Sequence, residues 1–241
     1  MLDIQSLTKT FGSFVAVDAL TFQVNGGEIV GLLGPNGAGK TTTIRCLTSI
    51  LQPTSGRITL GGHDIVTHPE DAKRTLAYVP EVPSPYTMLT VAEHLRFVAA
   101  AYGAEMEKSY AEELLKRLDL WEKRQELGAN LSKGMKQKLA CACAFIHHPQ
   151  IYFFDEPLIG IDPKGAHELK NMLAEQRAAG KAVLVSTHML DTAERLCDRV
   201  VIMNRGRVVE QGTMDELHGR VQMGENATLE AMFLRLTEEA A

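Results

Sequence analysis

Gly34-Pro35-Asn36-Gly37-Ala38-Gly39-Lys40-Thr41-Thr42 is the stretch from which the rest of this 241-residue chain is read. It follows the apolar run Ile29-Val30-Gly31-Leu32-Leu33 and precedes a helix-like segment over 42–51, so the local order is strand, phosphate loop, helix. Glycines at the first and sixth positions let the backbone turn tightly. Successive N–H groups then point inward at phosphate oxygens, and the helix start adds its positive dipole end. Lys40 is placed to reach the outer phosphates and Thr41 to meet a magnesium ion. The plain alternative is a glycine-rich turn capping a helix, but such a turn needs neither three glycines nor a following Lys-Thr.

At this length the chain holds one large α/β domain or two small ones, and a hydrophobic content of 45% supplies the core. A net charge of -5 and a pI near 5.9 argue against an electrostatic grip on nucleic acid, which needs a basic face. Cys46, Cys141, Cys143 and Cys197 form no C-x-x-C pair and read as small core residues in a reducing compartment. No signal peptide is visible at Met1-Leu2-Asp3-Ile4, and the longest apolar runs, such as 139–146, are too short to cross a bilayer.

Residues 1–33 read as β structure, with alternation over 2–5, strands over 19–24 and 28–33, and a Gly26-Gly27 turn between them. The helix after the phosphate loop is expected to end at Pro53, and 56–60 is a strand closed by Gly61-Gly62. Leu76-Ala77-Tyr78-Val79 is a buried strand that runs into a loop with prolines at 80, 83 and 85. From 90 to 148 the periodicity is helical, carried by Val91, Leu95, Val98, Leu114, Leu115 and Leu118, and the last helix is expected from Ser132 to about His147. Strands recur at 151–154, 182–186 and 200–203, with helices over 164–178 and 190–196, and this alternation implies a parallel sheet with helices on both faces. One short amphipathic helix is expected over 228–236.

Ile151-Tyr152-Phe153-Phe154-Asp155-Glu156 is an apolar strand whose end delivers two adjacent carboxylates, the place where open α/β sheets put their ligands. Asp155 is expected to hold Mg²⁺, and Glu156 to face the γ-phosphate and polarise the attacking water. Two solvated loop acids are the alternative. An intact phosphate loop needs a metal partner downstream, and that favours the first reading.

Several motifs in this order make the chain similar, over nearly its whole length, to the nucleotide-binding subunit of ATP-binding cassette (ABC) transporters. Leu131-Ser132-Lys133-Gly134-Met135 resembles the family signature, usually Leu-Ser-Gly-Gly-Gln; Gly160-Ile161-Asp162-Pro163 resembles the D-loop, and Ser186-Thr187-His188 the switch histidine. The resemblance implies an α/β P-loop NTPase core of RecA-like type, with an N-terminal antiparallel β subdomain and an inserted helical subdomain. As one cassette it divides into 1–88 (core and β subdomain), 89–148 (helical signature subdomain), 149–220 (rest of the core) and 221–241 (C-terminal helix). It further implies ATP and Mg²⁺ as ligands, adenine stacking by Phe11, and catalysis by Lys40, Glu156 and His188. Ser132 and Gly134 suit a second anion-binding helix end that closes on the γ-phosphate of another copy. His147-His148 has no convincing third ligand for a metal.

Three positions depart from the family pattern. Glu81 stands where a glutamine touching Mg²⁺ is usual, and an ionised carboxylate can bind a hard cation but cannot donate a hydrogen bond. Lys133 and Met135 replace a glycine and a glutamine of the signature. The resemblance implies a homodimer or heterodimer of ATPase subunits, driving a separate transmembrane permease from the cytoplasmic face, with the C-terminal run through Gly212-Thr213 most like bacterial export-type cassettes. A soluble cassette with an assembly or regulatory role is the alternative. A small-molecule kinase or GTPase is a third reading, but no Asn-Lys-x-Asp guanine motif is present. No nucleic-acid partner is expected.

Overall fold

The computed structural model describes residues 1–221 and 228–239. The chain opens with β1 (Leu2–Phe11) and β2 (Phe14–Val24), an antiparallel hairpin turned at Gly12, where φ is +60°. β3 (Glu28–Leu33) leads through the phosphate loop into α1 (Lys40–Leu47). This helix is shorter than the expected 42–51. The Thr48 hydroxyl donates back to the Ile44 carbonyl at 2.9 Å, and Ser49 takes a left-handed φ of 58°, so the helix stops before Pro53 can act. It also begins earlier, at Lys40, because Gly39 (φ +102°) makes the bend into it.

β4 (Ser55–Leu60), the two-residue β5 (His63–Asp64), α2 (Pro69–Arg74) and β6 (Leu76–Val79) follow. The helical stretch comprises α3 (Val91–Ala101), α4 (Lys108–Arg117) and α5 (Lys133–Phe145). A reciprocal cap starts α3: Glu93 N–H donates to the Thr90 hydroxyl at 3.2 Å, and Thr90 N–H donates to the Glu93 carboxylate at 2.8 Å. The last of these helices ends at Phe145 rather than His147, since His148 sits at φ +49°.

β7 (Ile151–Asp155), α6 (Pro163–Ala178), β8 (Ala182–Thr187), α7 (Leu190–Leu196), β9 (Arg199–Asn204) and β10 (Arg207–Gly212) complete the sheet. Then come α8 (Met214–Val221) and α9 (Leu229–Glu239). Of the C-terminal unit expected over 221–241, residues 222–227 and 240–241 lie outside the described residues.

Two sheets result, one antiparallel in the order β2-β1-β4-β5 and one six-stranded in the order β10-β9-β3-β8-β7-β6. Five strands of the larger sheet are parallel, as the alternation predicts, but β10 runs antiparallel to β9. Only Arg205 and Gly206 join these two strands, both at positive φ, and a two-residue turn of that hand can return a chain only antiparallel. The sheet is buried on both faces by the two-residue period of its strands. Ile29, Leu33, Tyr152, Phe154 and Val183 face the helical layer, whereas Val30, Leu32, Phe153 and Leu184 face α1, α2 and the small sheet. Truncating Phe153 or Phe154, both fully buried, would cost about 3–5 kcal/mol. The strand that ends in Asp155 is therefore a rigid support.

The helical layer is tied to the core by Arg117 of α4, whose guanidinium binds Glu175 of α6 through two nitrogens at 2.7 and 2.8 Å and also pairs with Glu168. Cys46, Cys141 and Cys197 are buried thiols and Cys143 is half-buried.

Candidate functional site

Because β3, β8, β7 and β6 are adjacent and parallel, the loops at their C-terminal ends open on the same edge of the sheet. These ends carry the phosphate loop, His188, the Asp155-Glu156 pair and Glu81. Together they line a cavity of about 540 Å³, with residues 36–42 as its floor and Phe14, Ala16 and Ile159 at its margins.

Gly34 and Pro35 lie beneath the cavity. A Cβ on Gly34 would stand 2.5 Å from the Met203 carbonyl oxygen and 2.8 Å from the Ala38 Cβ, so only glycine lets the loop leave β3 here. The Pro35 carbonyl accepts from Ala38 N–H at 3.1 Å, and the Ala38 carbonyl accepts from Gly206 N–H at 3.0 Å. The loop is thus set before any ligand arrives. Gly39 caps α1 without a side chain and the first turn of α1 contains no acid, so the N–H groups of Lys40, Thr41 and Thr42 are left for an anion. Lys40 Nζ rests on the Gly34 carbonyl at 2.6 Å and the Pro35 carbonyl at 3.3 Å. Burial draws its pKa below the ordinary lysine value, against the opposing pull of Glu156, Asp155 and Glu81.

Across the cavity, Asp155 is 1% exposed. Its Oδ1 accepts from the Ser186 hydroxyl, which the β7–β8 register places directly opposite, and its Oδ2 is buried with no protein partner. Glu156 turns the chain at φ +49°, and its N–H donates to the Ser186 carbonyl at 3.0 Å, one step beyond the strand. The left-handed bend sends its side chain to His188, with Oε1 2.9 Å from Nδ1. Two neighbouring carboxylates therefore have different surroundings: one is fixed by a serine with a free oxygen, the other is paired with a half-exposed imidazole.

An orphaned, buried carboxylate oxygen beside a hydroxyl is a fit for a hard divalent cation. Asp155 Oδ2 and Thr41 are the oxygens that would hold such an ion, and Glu81 lines the same cavity. Charge balance agrees: three carboxylates face one ammonium, so a polyphosphate entering alone would meet a net negative field. The protein donor set is small, and no cluster of three or more His, Cys, Asp or Glu among the described residues could hold a metal by itself. That suits Mg²⁺, which keeps waters and shares phosphate oxygens.

The aromatic side chain at the cavity is Phe14, not Phe11. The two face each other across the β1–β2 hairpin, and Phe11 is half-exposed with Lys9 Nζ 5.0 Å from its ring centre. Phe14, Ala16, Ile159 and the Asp155-holding role of Ser186 were not named from sequence. A hydroxyl at the end of the neighbouring parallel strand, in register with the strand-end carboxylate, is the signal that could have found Ser186. Residues 131–135 lie elsewhere, and none of them lines this cavity. Ser132 is exposed and caps α5, its hydroxyl accepting from Met135 N–H at 3.3 Å. Gly134 packs on Gly160, whose carbonyl would be 2.5 Å from a Cβ at 134. Asp162 caps α6. His147 and His148 stack on Tyr102 and Tyr110.

Comparison with known proteins agrees with this geometry. Residues 17–159 match the profile of the ABC transporter family. The chain is 38% identical over 243 residues to the ABC-type transporter ATP-binding protein EcsA of Bacillus subtilis (strain 168), covering 100% of this chain and 98% of that one. It is 35% identical over 213 residues to the Nod factor export ATP-binding protein I of Burkholderia lata, covering 88% and 70%. A solved structure described as the ATP binding subunit of an ABC transporter superposes with a TM-score of 0.93 at 38% identity, over 98% of this chain and 99% of that one.

Proposed function

The chain belongs to the ABC transporter family and is an ATP-hydrolysing cassette, and from that premise we propose that two copies, or one copy and a related subunit, close on ATP to drive a separate transmembrane permease of export type. The single observation that carries the pairing is the separation of the two anion-binding ends. The phosphate loop lines the cavity, whereas the exposed, serine-capped start of α5 lies outside it, which supports a phosphate contact made on another molecule. Cassettes of this family dimerise and work with transmembrane subunits. We assign 1–88, 89–148, 149–220 and 221–241 as the parts of one such cassette.

In this reading the N–H groups of 37–42 and Lys40 bind the phosphate chain of ATP, and Thr41 and Asp155 hold Mg²⁺, with Glu81 reaching it through water. The cation, when bound, neutralises charge on the β- and γ-phosphates. Glu156 orients a water for in-line attack on the γ-phosphorus and takes its proton as the bridging oxygen to the β-phosphorus leaves, giving ADP and phosphate. His188 holds the Glu156 carboxylate in place and donates to a γ-phosphate oxygen. Phe11, or Phe14 opposite it across the hairpin turn, stacks on adenine, Phe14 being the one of the two that lines the cavity. Ser132 and the N–H groups of 133–135 cover the γ-phosphate of the other copy, and Asp162 lies in the turn beside them.

Contact with the membrane partner is supported by the loop after Glu81. Val82, Tyr86 and Met88 of this loop and Phe97 of α3 are exposed by 71, 59, 78 and 47%, and the Tyr86 and Phe97 rings meet edge-on with centres 5.1 Å apart, apolar area that water disfavours. No helix among the described residues is long and apolar enough to cross a membrane. In this reading a polytopic partner places the chain at the cytoplasmic face. A Tyr86→Ser/Met88→Ser double variant is expected to lose about tenfold or more of its recovery with membranes, at unchanged ATPase activity of the isolated chain. Recovery of wild type with soluble proteins alone would instead favour the assembly or regulatory role.

A further inference from the structure

Lys138 lies on α5 six positions after the Ser132 cap, and only 8% of its side chain is exposed. A positive charge has been carried into the seam between the helical layer and the core. It is matched there, with Nζ 2.6 Å from Asp162 Oδ2 and 4.0 Å from Asp119 Oδ2, while Asp119 Oδ1 accepts from Lys164 at 3.0 Å. The other oxygen of Asp162 accepts from Gly165 N–H at 2.9 Å. Both oxygens of this side chain are thus engaged within its own subunit.

Two glycines make the arrangement possible. A Cβ on Gly165 would lie 2.6 Å from Lys138 Cε, closing the space the lysine occupies. A Cβ on Gly134 would strike the Gly160 carbonyl, 2.5 Å away, and a Cβ on Gly160 would come only to ordinary contact, 3.5 Å, with the Lys133 methylenes. The start of α5 and the 160–162 turn therefore meet at two places, one polar and one backbone to backbone. Hydrogen bonding to Lys138, then to Gly165, holds the Asp162 carboxyl down at about 2. A carboxylate lowered in this way contributes stability above the ordinary aspartate range and loses it only as pH falls toward 2, so the pair is intact wherever ATP hydrolysis is measured.

The geometry points to Lys138 as a positioning residue: its ammonium, shared by Asp162 and Asp119, fixes the 160–162 turn to the start of α5, so that both present themselves to a second copy as one surface. This rests on the paired-copy reading above. Lys138 touches no nucleotide in it. Asp162 and Asp119 are each about half exposed, so Lys138→Met strands no buried charge and is expected to fold.

Hydrogen exchange of the nucleotide-free chain tests the coupling without any dimer. Lys138→Met and Gly165→Ala, which displaces the lysine while removing no charge, are each expected to speed exchange in both 132–136 and 160–165 by about tenfold, with Lys138→Arg staying near wild type. A response in only one segment, or in neither, overturns the proposal. In a Glu156→Gln background, Lys138→Met is expected to weaken ATP-driven dimerisation about tenfold at unchanged MgATP affinity of the monomer. Unchanged dimerisation would overturn the claim that the joined surface serves a second copy. Failure of Glu156→Gln itself to dimerise would instead remove the paired-copy reading, with the exchange result still deciding whether Lys138 couples the two segments.

Discussion

Glu156→Gln is expected to bind ATP as the wild type does and to hydrolyse it about 10²–10⁴-fold more slowly, the range for losing a positioned general base. The substitution is nearly isosteric and leaves the surroundings intact. The backbone bend at φ +49° and the N–H bond to Ser186 do not depend on the side chain, and an amide can still meet His188 across 2.9 Å. What disappears is the proton acceptor. Asp155 cannot take its place, because one of its oxygens is held by Ser186 and the other, buried without a protein partner, is the one proposed to take the cation. Equilibrium nucleotide titration and single-turnover hydrolysis separate binding from chemistry. Hydrolysis in a single turnover at close to the wild-type rate would remove Glu156 from the chemical step. Because ATP is then retained, the variant is also expected to accumulate as a dimer. Light scattering that reports only monomer at high protein and ATP would count against the sandwich.

Lys40→Met is expected to weaken ATP binding by about 10–100-fold, the value of a charge-assisted contact to phosphate, and to lower turnover by a further 10²–10³. The second loss exceeds the first because charge accumulates on the γ-phosphate oxygens as the bond breaks. In the structure this ammonium is parked on two loop carbonyls and partly desolvated, so phosphate oxygens can replace the carbonyls with little reorganisation. Methionine keeps the length of the side chain but leaves Glu81, Asp155 and Glu156 facing the nucleotide without a counter-charge. Binding should therefore become more dependent on Mg²⁺. Titration with a fluorescent ATP analogue at several Mg²⁺ concentrations measures both effects, and a thermal melt close to wild type shows that the loop still folds. Unaltered affinity at every concentration would exclude Lys40 from phosphate contact.

The parallel strands were legible in the sequence because each is a continuous apolar run: 28–33, 76–79 and 151–154 are found where they were expected, within a residue or so. The edge strand β10 was not. Its half-buried residues lack such a run, and its direction follows from the hand of a two-residue turn. The end of α1 escaped for a related reason: the helical pattern continues past Leu47, but a left-handed Ser49 stops the helix. At the site, the phosphate loop and Asp155-Glu156 were named from motif and strand pattern, Glu81 and His188 from the family resemblance, and the fold brings them to one cavity. The resemblance pointed to Phe11, while the residue lining the cavity is Phe14, since β1 and β2 both carry a phenylalanine next to the turn.

Strand, anion loop and helix start follow one another by rules that act over roughly ten residues, so the order of amino acids alone predicts a phosphate grip and its place in the chain. Partnership between distant groups obeys no such local rule. Ser186 meets Asp155 across 31 positions and His188 meets Glu156 across 32, and Lys138 reaches Asp162 from a different layer. These meetings exist because one sheet must bury both faces. Burial chose the strand order, and the strand order set which side chains became neighbours.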